Sequence, residues 1–377
     1  MAIALVLLIS AVTFVSLKGS RVLMTLFAVD LGAGPFATGM LFAVYGLIPF
    51  LFVVYAGRIA DRLGNHTLIY AGLAGFAATL ALPALVPSLG MLFLAAPAIG
   101  FTSMLFIVAM QNLVGVLSEP GTRTRNYSYY SLADAAGNVT GPVVVGLAID
   151  GFDHAGAYLI LSAIAATCLA VFQLGRREIP ARSPAAIEAP QKRAAADLLR
   201  LPALRNALIT NGIVMTGVDL YQVYLPVYAH GAGLSATAIG LIVGAFGAAG
   251  FLVRILIPPV TARLGEHGMI AATMVIACAS FIAIPLTVNP WLLGVASFLM
   301  GLGLGCGQPL AMVLAFNAAP AGRSAEAIAM RMSVSYGAHV LIPPVFGALG
   351  AVVGLAPVFW TCAVLMAGGA ALNRGKA

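Results

Sequence analysis

Apolar segments long enough to cross a bilayer follow one another along this chain, separated by short connections rich in glycine, proline and asparagine. A helix that crosses the hydrocarbon core needs about 20 mostly apolar residues. The predicted spans are 2–30, 36–57, 67–87, 90–117, 127–149, 155–175, 204–229, 236–258, 268–288, 291–317, 326–350 and 354–372. The pattern predicts an all-α, polytopic membrane protein with twelve transmembrane helices.

One long polar stretch divides the spans into two sets of six. Residues 176–203 are rich in proline, alanine and charge, and show no apolar stripe before Leu198. Such a composition is typical of a flexible linker. We therefore expect an N-terminal six-helix bundle at 1–175, a cytoplasmic linker at 176–203 and a C-terminal six-helix bundle at 204–377.

Lysine and arginine predict the orientation. If the N-terminus is cytoplasmic, the outer connections contain no lysine and no arginine. Their acidic residues are Asp150 and Asp153, with Asp30 at the edge of the first connection. This asymmetry follows the positive-inside rule. The first apolar run has no basic residues before it and continues to about Leu31, so we interpret it as a span with a short or incomplete tail, and not as a signal peptide. We expect a multi-pass protein of the cytoplasmic (inner) membrane with both termini cytoplasmic.

Composition excludes several classes of protein. Of 377 residues, 61% are hydrophobic and 8% charged, and the mean hydropathy is +1.03, whereas soluble domains carry about 25% charged residues. The net charge of +7 does not indicate a nucleic-acid partner, because the basic residues lie in connections without aromatic interleaving. No zinc-binding, nucleophile-elbow or phosphate-loop motif is present, so we expect neither an enzyme nor an ATP-driven pump. Four cysteines stand singly in apolar runs: Cys168, Cys278, Cys306 and Cys362. None has the spacing of a metal or redox site, so we expect no cofactor and no metal.

The two halves are related by an internal repeat. Shifting the chain by 201 residues superposes Arg62-Leu63-Gly64-Asn65-His66 on Arg263-Leu264-Gly265-Glu266-His267. The same shift places Gly39, Gly46, Gly100, Gly121, Pro142 and Gly146 on Gly240, Gly247, Gly301, Gly322, Pro343 and Gly347. Six spans per half is an even number, so the halves share one orientation. Repeats of this kind place a substrate site near mid-bilayer, between the halves.

Two motifs resemble those of the major facilitator superfamily. Residues 57–64 read Gly-Arg-Ile-Ala-Asp-Arg-Leu-Gly, close to that family's G-x-x-x-D-R-x-G signature. The resemblance extends over the whole chain and implies the major facilitator fold, with two pseudo-symmetric six-helix bundles. It also implies that the first motif is a conformational latch at the cytoplasmic surface, formed by Gly57, Asp61, Arg62 and Gly64. An ordinary turn with positive-inside charge is the alternative interpretation.

The second motif lies in the fifth span, where Gly137, Gly141, Pro142 and Gly146 resemble the Gly-Pro motif of the family's proton antiporters. Small residues also let helices approach closely, so packing alone explains the pattern. The chain departs from the family at Asn65 and His66, where basic residues are usual, at Ala262, which replaces the aspartate, and at Ala96-Pro97, where drug antiporters carry arginine.

Ionisable residues deep in the predicted spans are candidates for the transport site, because each costs roughly 2.5–3.5 kcal/mol in the bilayer. Lys18 and Arg21 share one face of the first span and are predicted to bind an anionic group of a substrate. The repeat places Asp219 between them in depth, so we expect Asp219, with Asp134, to carry the coupled proton. A static Asp219–Arg21 ion pair is the alternative.

Further polar residues complete the predicted site. His339 is a second candidate for proton transfer, although a histidine hydrogen-bonded inside the bundle explains it equally well. Arg331 lies near a cytoplasmic end, where snorkelling explains its charge. We expect a substrate-lining set of Gln111, Asn112, Tyr221, Gln222, Tyr224 and Gln308. We expect a cytoplasmic gating set of Arg123, Arg323, Glu326 and Arg331, together with the latch residues.

The resemblance and the deep charges together favour a secondary active transporter. We expect proton-coupled export, by alternating access, of a small anionic or amphiphilic organic solute. Its partners are the solute, protons and the lipid bilayer, and the protein is expected to be a monomer. A proton-coupled symporter that imports an organic anion is the alternative, since Lys18 and Arg21 suit it as well. A receptor without transport activity would leave Lys18, Arg21 and Asp219 unexplained.

Overall fold

The computed structural model describes residues 2–119, 122–179, 195–320 and 324–374, without the side chains of 53–63, 123–124, 178, 195–196, 198, 258, 324–326 and 328–329. Within these ranges the chain is helical and has no strand. The helices are α1 Ala2–Asp30, α2 Pro35–Leu63, α3 Asn65–Leu85, α4 Leu89–Val116, α5 Arg123–Gly175, α6 Pro202–Gly231, α7 Ala236–Ala283, α8 Pro290–Leu304, α9 Gly307–Asn317, α10 Ser324–Val353 and α11 Leu355–Arg374. The all-α prediction is confirmed.

Two of these helices contain a break at a predicted connection. In α5 the backbone of Asp153 adopts φ 64° and ψ −176°, between the predicted spans 127–149 and 155–175. In α7 Gly265 adopts φ 70° and ψ 170°, between the predicted spans 236–258 and 268–288. The predicted span 291–317 is divided between α8 and α9. Glycine destabilises a helix because it loses more backbone entropy than alanine, and five glycines lie between 294 and 307.

Ten segments of the described ranges are long and apolar enough to cross a membrane. They include Arg125–Gly175 as one segment of 51 residues, and they do not include α6. Helix α6 carries several polar residues along its length: Arg205, Asn206, Asn211, Asp219 and Gln222. The count of twelve transmembrane helices stays a prediction.

By their internal contacts the residues form two compact units. The first comprises Met1–Ala33, Val44–Glu188 and Leu234–Gly244. The second comprises Gly34–Ala43, Ala189–Gly233 and Ala245–Ala377. Relative to the predicted bundle boundaries, the units exchange two short segments at the starts of α2 and α7. The internal repeat places these segments at equivalent positions.

In the first unit, small residues bring α1 and α5 into close contact. A Cβ atom at Gly141 would lie 2.7 Å from both Gly19 N and Val15 O. A Cβ atom at Gly137 would lie 2.6 Å from Phe14 Cβ. A larger residue at either glycine would therefore force the two helices apart. Buried side chains of α1, α3, α4 and α5 form the adjoining core, including Ile9, Phe14, Leu73, Phe106, Met110 and Phe172.

Also in the first unit, α5 contacts the start of α7. Gly146 lies against the backbone of Ala236, and Gly240 lies against the carbonyl of Pro142. Asp150, in the predicted outer connection, caps α7, since its carboxylate accepts hydrogen bonds from Ala236 N at 3.2 Å and Thr237 N at 2.8 Å. Burial raises the pKa of Asp150, but the hydrogen bonds to Thr237, Ala236 and Ser235 outweigh it and hold the pKa below its ordinary value.

In the second unit, the repeat-equivalent glycines make the same kind of contact. Gly39 of α2 lies against the carbonyl of Pro343, and Gly347 of α10 lies against the carbonyl of Pro35. The polar group beside the contact differs from that of the first unit. The fully buried Tyr224 donates its hydroxyl to the Pro343 carbonyl and lies 3.4 Å from the Pro35 carbonyl. A tyrosine hydroxyl therefore bridges α2 and α10, whereas a carboxylate caps α7.

We expect Asp150→Ala to lower the free energy of unfolding by about 1 kcal/mol at pH 7, because the cap of α7 is lost. Asp150→Asn should lower the free energy of unfolding by about half as much, since its amide oxygen can still accept a hydrogen bond from α7. The folded-state pKa is lowered, so the contribution of the charge is present above the unfolded-state pKa of about 3.9 and is lost as the pH falls through the folded-state value.

Unfolding in mixed micelles at pH 7 and at several values below pH 4, followed by circular dichroism, measures these differences. Asp197→Asn, which removes an exposed acid from the linker, is the control and should leave stability unchanged. Equal stability of Asp150→Ala and the wild type at pH 7 would show that the cap does not hold α7.

Candidate functional site

An ion pair joins α1 and α5 within the first unit. Lys18 Nζ lies 2.8 Å from Asp134 Oδ1, with 18% and 29% of the two side chains exposed. Asn138, one turn along α5, donates from Nδ2 to Asp134 Oδ2 at 3.3 Å and to the Asp134 carbonyl at 3.0 Å. The pair lies beside the close contact of Gly19 with Gly141. The ion pair and the glycine contact thus join the same two helices.

Arg21, one turn further along α1, is oriented by an aromatic ring. Its guanidinium carbon lies 5.3 Å from the ring centroid of Tyr45 in α2. Tyr45 is 6% exposed, so its ring is held by packing. A cation over a ring face is attracted by the ring quadrupole. The two predicted anion-binding cations therefore have different surroundings, a carboxylate for Lys18 and an aromatic face for Arg21.

A second ionisable pair joins α6 and α10 within the second unit. Asp219 Oδ1 lies 2.6 Å from His339 Nδ1. Asp219 is 2% exposed, and its Oδ2 has no hydrogen bond among the described residues. The exposed fraction of the His339 side chain is 28%, and its ring centroid lies 6.2 Å from that of Tyr336. The contact thus holds an imidazole at hydrogen-bond distance from a buried carboxylate.

These pairings differ from the partners that the sequence suggested. Asp219 was expected between Lys18 and Arg21, but its hydrogen-bond partner is His339, and the carboxylate that contacts Lys18 belongs to Asp134. The repeat gives depth along the helix axis and does not give the facing neighbour. The roles of these residues in binding and proton coupling stay predictions.

A polar stripe runs along the contact of α6 with α10. Arg331 Nη1 donates to Asn211 Oδ1 at 3.2 Å, and Asn211 Nδ2 donates to Ser335 Oγ at 2.9 Å. Residues 331, 335 and 339 repeat every four positions, as do 211, 215 and 219, so each set follows one helix face. Arg331, expected to snorkel at the cytoplasmic end, thus contacts an amide of the neighbouring helix.

The residues predicted to line the site have varied surroundings. Tyr221 is fully buried and stacks on Phe246, with ring centroids 4.5 Å apart. Asn112 Nδ2 donates to Asn65 Oδ1 at 2.9 Å. Three others are accessible to different degrees: Gln111 and Gln308 are exposed and Gln222 is half-buried. The buried Tyr221, like Tyr224, has a packing role in this conformation.

For most of the predicted gating residues the structure describes the backbone alone. This holds for Gly57, Asp61, Arg62, Arg123 and Glu326, whereas Arg323 lies outside the described residues. Gly64 is described: it precedes α3 with φ 80°, a left-handed conformation that favours glycine. Its repeat equivalent Gly265 has φ 70°. Among the described residues no cluster of histidine, cysteine, aspartate or glutamate could hold a metal ion.

Comparison with known proteins gives a family match over most of the chain. The model of the Major Facilitator Superfamily matches residues 6–338 and, in a second alignment, 209–374. The multidrug efflux pump LfrA of Mycolicibacterium smegmatis is 30% identical over 149 residues, which cover 39% of this chain and 29% of LfrA. The efflux pump azaK of Aspergillus niger is 28% identical over 62% of this chain and 53% of its own length.

Two further comparisons cover more of the molecule. The class C tetracycline resistance protein of Escherichia coli is 26% identical over 72% of this chain and 69% of its own length. The solved structure of the nucleoside transporter NupG superposes with a TM-score of 0.78 at 16% identity, covering 99% of this chain and 99% of that one. At this identity the structural likeness shows the fold alone.

We expect the Asp219–His339 pair to be energetically coupled. His339→Leu should destabilise the protein by about 3 kcal/mol, because it leaves a buried carboxylate without its partner. Combining it with Asp219→Leu should recover much of that loss, because the carboxylate is then absent. A double-mutant cycle on unfolding free energies in mixed micelles measures the coupling. His230→Leu, at the end of α6, is the matched histidine control, and additive single effects would show that the two side chains act independently.

Proposed function

Because this chain belongs to the major facilitator superfamily, we propose that it is a secondary active transporter that exports a small amphiphilic or anionic organic solute in exchange for protons. The names of its relatives support the direction, since they are an efflux pump, a multidrug efflux pump and a tetracycline resistance protein. The glycines of the Gly137–Gly146 motif, which resembles that of the family's proton antiporters, support exchange with protons.

The observation that carries the proposal is the Lys18–Asp134 ion pair, half-buried between α1 and α5, two helices that are long and apolar enough to cross a membrane. In such a place the ammonium and the carboxylate hold each other, and any third charged group must compete for one of them. Three groups compete to bind the carboxylate of Asp134: the ammonium of Lys18, a proton, and a hydrogen-bond donor or cationic group of the solute. A solute that takes the carboxylate excludes the proton from it. Mutually exclusive binding of this kind is the requirement for antiport.

The same pair also defines the second candidate function. An organic anion that takes Lys18 displaces Asp134, and a carboxylate left without its cation in a poorly hydrated site takes up a proton. Anion and proton would then bind together, which is the requirement for symport. The charge of the group that reaches this pair therefore determines the sign of coupling: a donor group on Asp134 gives exchange, and an anion on Lys18 gives co-transport.

The Asp219–His339 pair supports a second proton position in the other unit. With one proton shared, aspartate and histidine have no net charge, whether as a neutral pair or as an ion pair. With that proton lost, a buried negative charge stays at Asp219. Since a charge buried in this way is costly, we expect the proton to stay unless the site hydrates. We expect the proton to leave through His339, because 28% of its side chain is exposed whereas Asp219 is buried.

Proteoliposomes containing a trapped pH dye test the sign of coupling. We expect a gradient of tetracycline, the amphiphilic probe, to drive protons in the opposite direction, whereas p-toluenesulfonate, a permanent anion, distinguishes the symport candidate by driving them in the same direction. Asp134→Asn should reduce proton movement at least 10-fold while solute counterflow persists, because the carboxylate that binds the proton is gone.

Asp153→Asn, an acid of the same helix α5 at its outer break, is the matched control and should behave as the wild type. All variants are compared at equal membrane abundance. Full proton coupling in both Asp134→Asn and Lys18→Gln would contradict the proposed role of the pair. Solute movement without any proton movement in the wild type would contradict proton coupling altogether.

A further inference from the structure

A guanidinium inside α10 has a neutral group as its partner. Arg331 lies seven residues after the start of α10, which is roughly 10 Å along the helix axis at 1.5 Å per residue. Its Nη1 donates to the amide oxygen of Asn211 at 3.2 Å, and its Nε is buried without a hydrogen bond among the described residues. Among the described residues no carboxylate forms an ion pair with it.

An arginine cannot remove this charge by losing its proton, because the guanidinium stays protonated in proteins. Snorkelling would bring its nitrogens into interfacial water, but the buried Nε shows that part of the head group is enclosed. Charged groups in membrane spans are expected to face the bundle interior or a wet cavity, and to mark substrate pathways. Arg331 has the features of such a group, a fixed positive charge with unused donor capacity.

The groups around Arg331 are held in place. Asn211 is fully buried, and its Nδ2 donates to Ser335 Oγ at 2.9 Å and to the Arg331 carbonyl at 3.4 Å. These bonds fix the amide so that its oxygen faces the guanidinium. Ser335 in turn donates to the Arg331 carbonyl at 3.2 Å. Among the described side chains, the guanidinium is therefore oriented by neutral neighbours, which leave its charge uncompensated.

The same stripe continues to the proton pair. His339 lies two turns beyond Arg331 on α10, and Asp219 lies two turns beyond Asn211 on α6, which is about 12 Å at 1.5 Å per residue. Between them on α6, Met215 Sδ accepts a weak hydrogen bond from Gln308 at 3.3 Å. An anion at Arg331 would thus lie on the cytoplasmic side of a carboxylate that can be protonated.

We propose that Arg331, oriented by Asn211 and Ser335, is a subsite for the anionic group of the solute, a carboxylate, sulfonate or phosphate. This inference rests on the proposed function, and it extends that function to the second unit and to a defined ligand chemistry. The guanidinium offers paired donors to such an oxyanion. The same chemistry could be supplied by a lipid phosphate, so the experiment includes an arm for each source.

The sharpest variant is Asn211→Asp, which keeps the shape of the side chain and places a carboxylate 3.2 Å from the guanidinium. We expect the protein to fold, because the counterion that the cation gains offsets the loss of the two hydrogen bonds that Nδ2 donates to Ser335 Oγ and to the Arg331 carbonyl. The affinity for anions should fall at least 10-fold, since the internal carboxylate occupies Arg331. Arg331→Gln should lose the same affinity and Arg331→Lys should keep part of it, whereas Arg263→Gln, which removes an exposed guanidinium of the same unit, should bind as the wild type.

Binding is measured on the full-length protein in neutral detergent, by calorimetry and thermal shift, with benzoate and p-toluenesulfonate against their neutral amides benzamide and p-toluenesulfonamide. The wild type should prefer each anion to its amide, and Asn211→Asp should abolish the preference. The lipid arm adds phosphatidylglycerol or phosphatidylcholine: stabilisation by phosphatidylglycerol that depends on Arg331, without any effect of the soluble anions, would assign the subsite to lipid and overturn the solute assignment.

Two results would refute the subsite directly: no preference of the wild type for any anion over its amide, or wild-type preference in both Asn211→Asp and Arg331→Gln. Because binding is measured without a proton gradient, it separates this inference from the proposed function. Anion preference that depends on Arg331, in a protein whose solute flux is independent of protons, would keep the subsite and reject the coupling. Proton-coupled solute flux in a protein without anion preference would keep the proposed coupling and reject the subsite.

Discussion

Hydrocarbon cannot accept or donate a hydrogen bond, and the structure follows from that constraint. Every backbone group inside a bilayer needs an internal partner, which explains why the described residues are helical throughout their apolar segments. The same constraint acts on side chains. Lys18 and Asp134 contact each other, and Asp219 and His339 contact each other, because isolated charges in these positions would be costly. Ionisable groups that persist in such a medium are therefore candidates for function.

Close packing is the second consequence. Apolar side chains gain little by leaving lipid for protein, so helices associate through small residues that allow close approach. Gly141 against α1 and Gly240 against Pro142 show this in the first unit, and Gly39 against Pro343 shows it in the second. The glycine contacts occur at equivalent positions in both units, whereas the polar side chains beside them differ. Asp150 caps α7, and the hydroxyl of Tyr224 bridges α2 and α10.

The two ionisable pairs differ in chemistry. The Lys18–Asp134 pair joins an ammonium to a carboxylate, and the proposed function requires another group to compete for one of them. The Asp219–His339 pair instead places an imidazole against a buried carboxylate, and it is the pair proposed above to hold a proton. Arg331 adds a third kind of group, a permanent cation whose described partner is neutral. Among the described residues, these three groups therefore differ in the kind of partner that each has: a carboxylate for a lysine, a histidine for an aspartate and an amide for an arginine.

Much of the architecture could be predicted from the sequence, because it depends on local properties. The length of each apolar run determined where helices form, and the glycine and aspartate of the connections determined where α5 and α7 break, at Asp153 and Gly265. Depth along each helix also followed, since the rise per residue is constant. Asp219 and His339 lie at similar depths in helices that the predicted topology makes parallel. That signal could have suggested their pairing, although depth alone does not identify which helices touch.

Only the tertiary structure decided which polar groups meet. By depth, the sequence suggested Lys18 and Arg21 as the partners of Asp219, and the position of Arg331 suggested snorkelling. In the structure Lys18 contacts Asp134, Asp219 contacts His339, and Arg331 contacts Asn211. The physical reason is that a helix's own sequence determines its length and its polar face. The rotation of that face toward a neighbour depends on packing between helices distant in the chain, here through Gly19 and Gly141 for one pair.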